Sequence, residues 1–246
     1  FSGTTSTMVL TFLATGVAFA SVILGAMEAV LARGLNAVVA RRLRRTPPLP
    51  HNPKQHLDKF EERDRLYVGI NKGLTVVFVY HALWVVWRLP SIAWAPQELR
   101  VRNTVGSLVA LFAIYDLFYA SFHRFLHVRC LYKYVHKHHH RQISPTRGNH
   151  DAINVHPFEF FVGEYLHLLA VCLVPAHVAT VVVFVGLGGV LASLNHTRLP
   201  FRIPLLYDVR NHDVHHRWPD NNFGQYTMLW DRLFGWFRPY DPPRIA

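Results

Sequence analysis

Three histidine clusters carry the chemistry of this chain. His123-Arg-Phe-Leu-His127, His136-Lys-His138-His139-His140 and His212-Asp-Val-His215-His216 read as HxxxH, HxxHH and HxxHH. On a helix, residues four apart share a face, so His123 and His127 can reach one metal ion. The i, i+3, i+4 spacing is expected to do the same for His136, His139 and His140, and again for His212, His215 and His216. A structural site closes with about four protein ligands, and the clusters supply twice that, so two metal ions are expected. Neutral imidazole suits iron, zinc and copper alike. Many nitrogen ligands, no thiolate among them and long apolar neighbours together favour iron, and with it oxygen chemistry on a lipid.

Apolar blocks must deliver these clusters to one place. The first runs over residues 8–31 and is broken only by Glu28; it is long enough to cross a bilayer, which takes about 20 residues. Arg41, Arg42, Arg44 and Arg45 follow, then Pro47, Pro48, Pro50 and Pro53, reading as a basic flank and a stiffened loop. The polar stretch 54–65 reads as a surface helix or loop without chemistry. A second span over 66–87 contains Asn71, Lys72 and His81, with Trp84, Trp87 and Trp94 as an aromatic belt. The third, 105–122, runs straight into His123. The block 158–194 is divided at Pro175-Ala-His177 and is expected to form a hairpin of two spans. Gly186, Gly188 and Gly189 within it suit close helix packing, since no strand–turn–helix context surrounds them. The expected fold is an all-α membrane bundle of four to five spans. Residues 1–104 would supply membrane spans and a basic loop, and 105–246 a unit holding the three boxes.

Charge tests this map. Residues 33–65, 123–157 and those after 196 hold 9, 6 and 7 Lys/Arg, 22 of the 26, whereas 88–103 holds 3. Cytosol-facing loops carry such an excess, so all three boxes are expected on the cytosolic side. The net charge of +11 is then a topology signal, and nucleic acid is not an expected partner. Cys130 and Cys172 form no CxxC and suggest no disulfide framework. The chain opens on Phe1, which reads as a processed or partial chain.

At this point the chain resembles the fatty acid hydroxylase/sterol desaturase superfamily of integral membrane di-iron enzymes. The stretch from His123 through Leu131-Tyr-Lys-Tyr-Val-His136 to His140, with His156-Pro-Phe-Glu159, looks like its first boxes and their sequel. His212-Asp-Val-His215-His216-Arg-Trp-Pro-Asp-Asn-Asn222-Phe-Gly224 looks like its last box, and Trp230-Asp-Arg-Leu-Phe-Gly235 like its ending. The similarity covers about 105–240. It implies about four spans, two Fe ions on a cytosol-facing site (Zn can take the same imidazoles in a purified sample), and O2-dependent oxidation of a membrane lipid by hydroxylation or desaturation. It also implies electrons from a cytochrome b5-type or reductase partner. That agrees with the absence of any dinucleotide or flavin fingerprint in the sequence. A sterol precursor is the expected substrate, ahead of fatty acyl chains and carotenoids. The expected residence is the endoplasmic reticulum, with another organellar membrane the alternative.

Two departures bear on this. In sterol-oxidising members a histidine after the spanning hairpin precedes a Gly-containing turn; here His196 is kept, but Thr197-Arg-Leu-Pro200 follows. Trp236 stands where a Thr often follows the last Gly. Neither removes a ligand, though the first puts the substrate in question. The expected ligands are His123, His127, His136, His139, His140, His196, His212, His215 and His216, with no catalytic group beyond them. His156, His150 (paired with Asp151), Asp213 and His138 are candidates for a ligand or for a group orienting one, although His138 faces away from His139 and His140. Asp231 is a further candidate acceptor for an imidazole. His51, His56, His81, His167 and His177 read as surface, interfacial or packing residues. A catalytically silent subunit of a larger membrane complex is the rival reading, and a bis-histidine haem protein using His81 with His167 or His177 is another.

Overall fold

The computed structural model describes residues 59–143 and 145–241, together with parts of 14–37. The basic cluster at 41–45, the prolines after it, His51, His56 and much of the first apolar block lie outside the described residues. Four long helices, α1 (Glu62–Arg88), α2 (Ser107–Leu126), α3 (Pro157–Leu173) and α4 (Val178–Asn195), form the frame of the described residues. A fifth, α5 (Val209–Arg217), and a short α6 (Leu229–Leu233) follow.

Each boundary has a local cause. Glu61 and Asp64 close a capping box at the start of α1, and Pro90 follows its extended C-cap Leu89, a position where the helical conformation is disfavoured. A wide turn over Arg102–Gly106 leads without a break into α2, so the apolar run spans Arg102–Leu126. Pro157 occupies the first turn of α3, where its missing N–H costs nothing, and the ring of His156 accepts from Phe158 N. Pro175 separates α3 from α4 at the predicted place, and His177 caps α4 by accepting from Ala179 N at 3.1 Å. Glu62–Arg88, Arg102–Leu126 and Val178–Asn195 are long and apolar enough to cross a membrane. Their large outward residues, such as Val77, Trp87, Val109 and Val182, are exposed, as suits lipid contact. α3, equally apolar, packs against α1 and α2.

The four helices alternate in direction. Ile92–Ala93 pairs in parallel with Ala176–His177, and Ser107 Oγ donates to Pro175 O at 2.6 Å. The 88–103 loop and the α3–α4 turn therefore share one end. At the other end lie Asp64 of α1, His123 of α2, Glu159 of α3 and His196 after α4. Leu111, Tyr115, Val171, Phe184, Leu191 and Tyr226 fill the space between. Gly188 lets α4 approach closely: a Cβ there would lie 2.8 Å from Tyr226 Oη and 3.1 Å from His167 Nε2. The charges that interrupt the apolar blocks answer each other, because Glu28 pairs with Lys72.

Candidate metal centre

His123 lies in the last turn of α2, which His127 caps. The second box then departs from the expected helix. A wide turn over Tyr132–His136 is followed by a tight turn over His139–Arg141. α5 carries His212, His215 and His216, and His196 caps the C-terminus of α4. These elements gather two groups of imidazoles. His123, His127, His136, His140 and His215 form the first, and His139, His196, His212 and His216 the second. Within each group one ring nitrogen per residue lies within 4.8 Å of all the others.

His123 and His127 of the first box stay together as expected, whereas the second and third boxes are split between the groups, contrary to the expectation that each presents one face. In α5, His212 and His216 are four apart and share a stripe. His215, about 100° round from His216, points to the other group. In the second box the change from wide to tight turn sends His136 and His140 one way and His139 the other.

Hydrogen bonds set which nitrogen faces inward. Nδ1 of His123 donates to Phe223 O at 2.9 Å, that of His136 to Glu159 Oε1 at 2.8 Å, and that of His215 to Asn221 O at 2.7 Å. In the second group His196 Nδ1 donates to Ala192 O at 2.9 Å and His216 Nδ1 to Gln142 O at 2.7 Å. Each bond leaves Nε2 bearing a lone pair. Those Nε2 atoms face one another. The distances are 3.0 Å for His123–His136, 2.9 Å for His136–His140 and 3.1 Å for His140–His215. In the second group they are 3.5 Å for His139–His196, 3.0 Å for His196–His212 and 3.0 Å for His212–His216. His123 and His136 have both committed their Nδ1 hydrogens, so their 3.0 Å contact sets lone pair against lone pair. A cation between them turns that repulsion into coordination. His127 Nε2 is also buried without a hydrogen-bond partner.

Burial keeps the rings neutral. Desolvation, then repulsion from neighbouring imidazoles, holds His136, His139, His140, His212 and His216 well below the usual imidazole pKa. The same two causes act on His215, and they push His127 down to about 3. Metal binding requires this uncharged form. The donor set, the inward lone pairs and the orphaned nitrogen all fit two imidazole-bound cations.

Glu159 was missed as a site residue, although His156-Pro-Phe-Glu159 marked its place. The backbone acceptors could not be read from residue types at all. Two of them, Asn221 O and Phe223 O, lie on a loop held from both sides by carboxylates. Asp231 accepts from Phe223 N at 2.6 Å and Gly224 N at 2.9 Å, and Asp116 from Gln225 N and Tyr226 N at 3.1 Å. A Cβ at Gly224 would stand 2.4 Å from Thr227 O, which explains the glycine. Asp231 thus orients imidazoles through the backbone rather than by direct contact.

The other candidates belong to neither group. His138 turns to Asn154 Oδ1 at 3.1 Å and Asp64 Oδ1 at 3.0 Å. Asp64, in a stretch read as without chemistry, is fully buried and also accepts from Arg141 and Asn154, bracing the second box. His156 caps α3, His150 sits in the short helix Asn149–Ala152, and Asp151 pairs with Arg147. Asp213 pairs with Arg198 at 3.3 Å. His81 meets Tyr165 Oη, His167 meets Tyr226 Oη and His177 meets Ala95 O, so each of these three has a polar contact outside the histidine groups.

The profile of the fatty acid hydroxylase family matches residues 108–236. The chain is 28% identical to the Delta(7)-sterol 5(6)-desaturase of Eremothecium gossypii over 190 residues, 73% of this chain and 53% of that protein. It is 30% identical to human lathosterol oxidase over 54% of this chain and 46% of the other. It is also 30% identical to the Delta(7)-sterol-C5(6)-desaturase of Nicotiana tabacum, over 61% and 54%. The chain spans about half the length of these relatives. No solved structure matches.

Proposed function

The chain belongs to the fatty acid hydroxylase family, and on that premise we propose that it is a membrane-bound di-iron oxygenase that hydroxylates or desaturates a lipid, with a sterol precursor the first candidate. The observation that carries this reading is the pair of histidine groups whose inward Nε2 atoms face one another at 2.9–3.5 Å. One iron would sit among His123, His127, His136, His140 and His215, the other among His139, His196, His212 and His216. Bound there, iron supplies the O2 activation that an unactivated C–H bond demands.

The chain's own residues supply position and dryness. Glu159 and the carbonyls of Ala192, Gln142, Asn221 and Phe223 hold ring orientation, so the ligands need little rearrangement on binding. His136 and His215 are wholly buried, which keeps water from the reacting centre. The groups lie where α2 and α4 end, so a lipid can approach from within the bilayer between the helices. The sterol preference is drawn from the relatives, whose names describe sterol desaturation and lathosterol oxidation. A separate cytochrome b5-type or reductase partner would deliver electrons, and the endoplasmic reticulum is the proposed membrane.

The test combines metal analysis of protein purified under iron-replete, non-chelating conditions with turnover assays. Two irons per chain are expected, together with an oxidised product from a Δ7-sterol, a fatty acyl lipid or a carotenoid in the presence of O2 and a reductase. A metal-free protein, or no turnover on any of the three classes, would overturn the proposal.

A further inference from the structure

Between α4 and α5 the chain forms a small hairpin in which Arg202–Ile203 pairs antiparallel with Tyr207–Asp208. Residues 201–206 are all exposed, and four of them are large and apolar: Phe201, Ile203, Leu205 and Leu206, with Leu205 at 102% and Leu206 at 60%. Leu205 holds φ at 66°, a conformation that glycine or asparagine adopts cheaply and leucine does not. A tip turned to water gains nothing from a strained, fully exposed leucine.

The hairpin has a fixed depth. Tyr207 Oη lies 2.7 Å from Leu191 O and 2.8 Å from Asn195 Oδ1, its single hydrogen shared between the two, and Val209 N donates to Phe201 O at 3.2 Å. The hairpin base is thus tied to the last turn of a membrane-crossing helix. Exposed Arg202 lies between Phe201 and Ile203, giving an apolar tip with a cationic neighbour. That combination suits the boundary between anionic headgroups and acyl chains.

We propose that residues 201–206 insert into the headgroup–acyl boundary of the bilayer that α4 crosses, with Arg202 against anionic headgroups. This surface function goes beyond the oxygenase reading and needs no metal. It has a consequence for the site, because Asp208 of the second strand caps α5. Seating the hairpin on lipid therefore anchors the helix that carries His212, His215 and His216.

The experiment uses the full chain in vesicles, with Cys130 and Cys172 replaced by Ser and an environment-sensitive thiol fluorophore at Leu205→Cys. Asp220→Cys, exposed at the histidine end, gives the water reference, and Val182→Cys, exposed on α4, gives the bilayer reference. In phosphatidylcholine vesicles containing phosphatidylserine, the Leu205 label should emit between the two references. It should also be quenched by brominated acyl chains and severalfold less by iodide than the Asp220 label. Arg202→Gln should shift its emission toward the water value only when phosphatidylserine is present. Emission and iodide quenching equal to those at Asp220 would overturn the insertion. An Arg202→Gln response that ignores lipid charge would overturn the headgroup contact.

Discussion

His136 donates its Nδ1 hydrogen to Glu159 Oε1, and this bond aims its Nε2 at His123 and His140. A carboxylate behind a ligand raises its basicity and fixes its tautomer; losing such a partner typically weakens metal binding about 10–100-fold. Glu159→Gln keeps the shape and removes the charge, so iron affinity should fall by about that factor while the far-ultraviolet spectrum stays unchanged. Undiminished affinity would show that Glu159 only packs. His138 gives the contrast. Its partners are Asn154 and Asp64, so His138→Ala should leave iron content intact and cost about 1–3 kcal/mol of stability by unbracing a buried carboxylate. Iron per chain and the unfolding midpoint separate the two effects. The nine histidines were legible in the sequence, eight by spacing and His196 by resemblance. Their division into five and four was not, because ring direction depends on helical phase and on carbonyl acceptors that no residue type announces.

Helix boundaries followed the sequence closely, since long apolar runs, Pro157 and Pro175 leave the chain few choices. The second box was the exception. Its HxxHH spacing suited one helical face, but the chain changes turn type between His136 and His139 and serves both groups. Glycines test the packing of whole elements. Gly186 and Gly188 lie two residues apart on α4, yet an added Cβ meets nothing at 186 and meets Tyr226 and His167 at 188. Gly188→Ala should therefore cost about 1–3 kcal/mol through overpacking, whereas Gly186→Ala should stay within about 0.5 kcal/mol of the parent. Thermal unfolding in detergent would show it, and equal midpoints would contradict the close α4 contact. Gly224→Ala presses on a backbone oxygen and on Asp231, which cannot retreat without moving Phe223 and Asn221. It should lower iron occupancy as well as stability, because those carbonyls orient His123 and His215.

Acid and membrane orientation act on the molecule as a whole. Burial first, then mutual repulsion, depresses the pKa of His136, His139, His140, His212, His215 and His216. In the unfolded chain these groups titrate near about 6.5, so below that pH the unfolded state binds more protons than the folded one. Stability of the metal-stripped protein should be complete above about pH 6.5 and fall on acidification, because each such group gains a proton in the unfolded chain while it stays neutral in the folded one. A midpoint that holds steady down to about pH 5.5 would contradict neutral, buried rings. Orientation rests on the 22 Lys/Arg assigned to one side against 3 in 88–103, and the alternating helices place the 88–103 loop at the end opposite the histidine groups. On the energetic preference for cytosolic Lys and Arg, the histidine end is expected to be the cytosolic one. With Cys130 and Cys172 replaced by Ser, single cysteines at Gln97 and at Asp220 report the two ends. In sealed vesicles of known sidedness, an impermeant thiol reagent should reach Asp220→Cys from the cytosolic side and Gln97→Cys only from the other. Labelling of both from one side would break the link between charge and topology, and would remove the argument that the metal groups face a cytosolic electron donor.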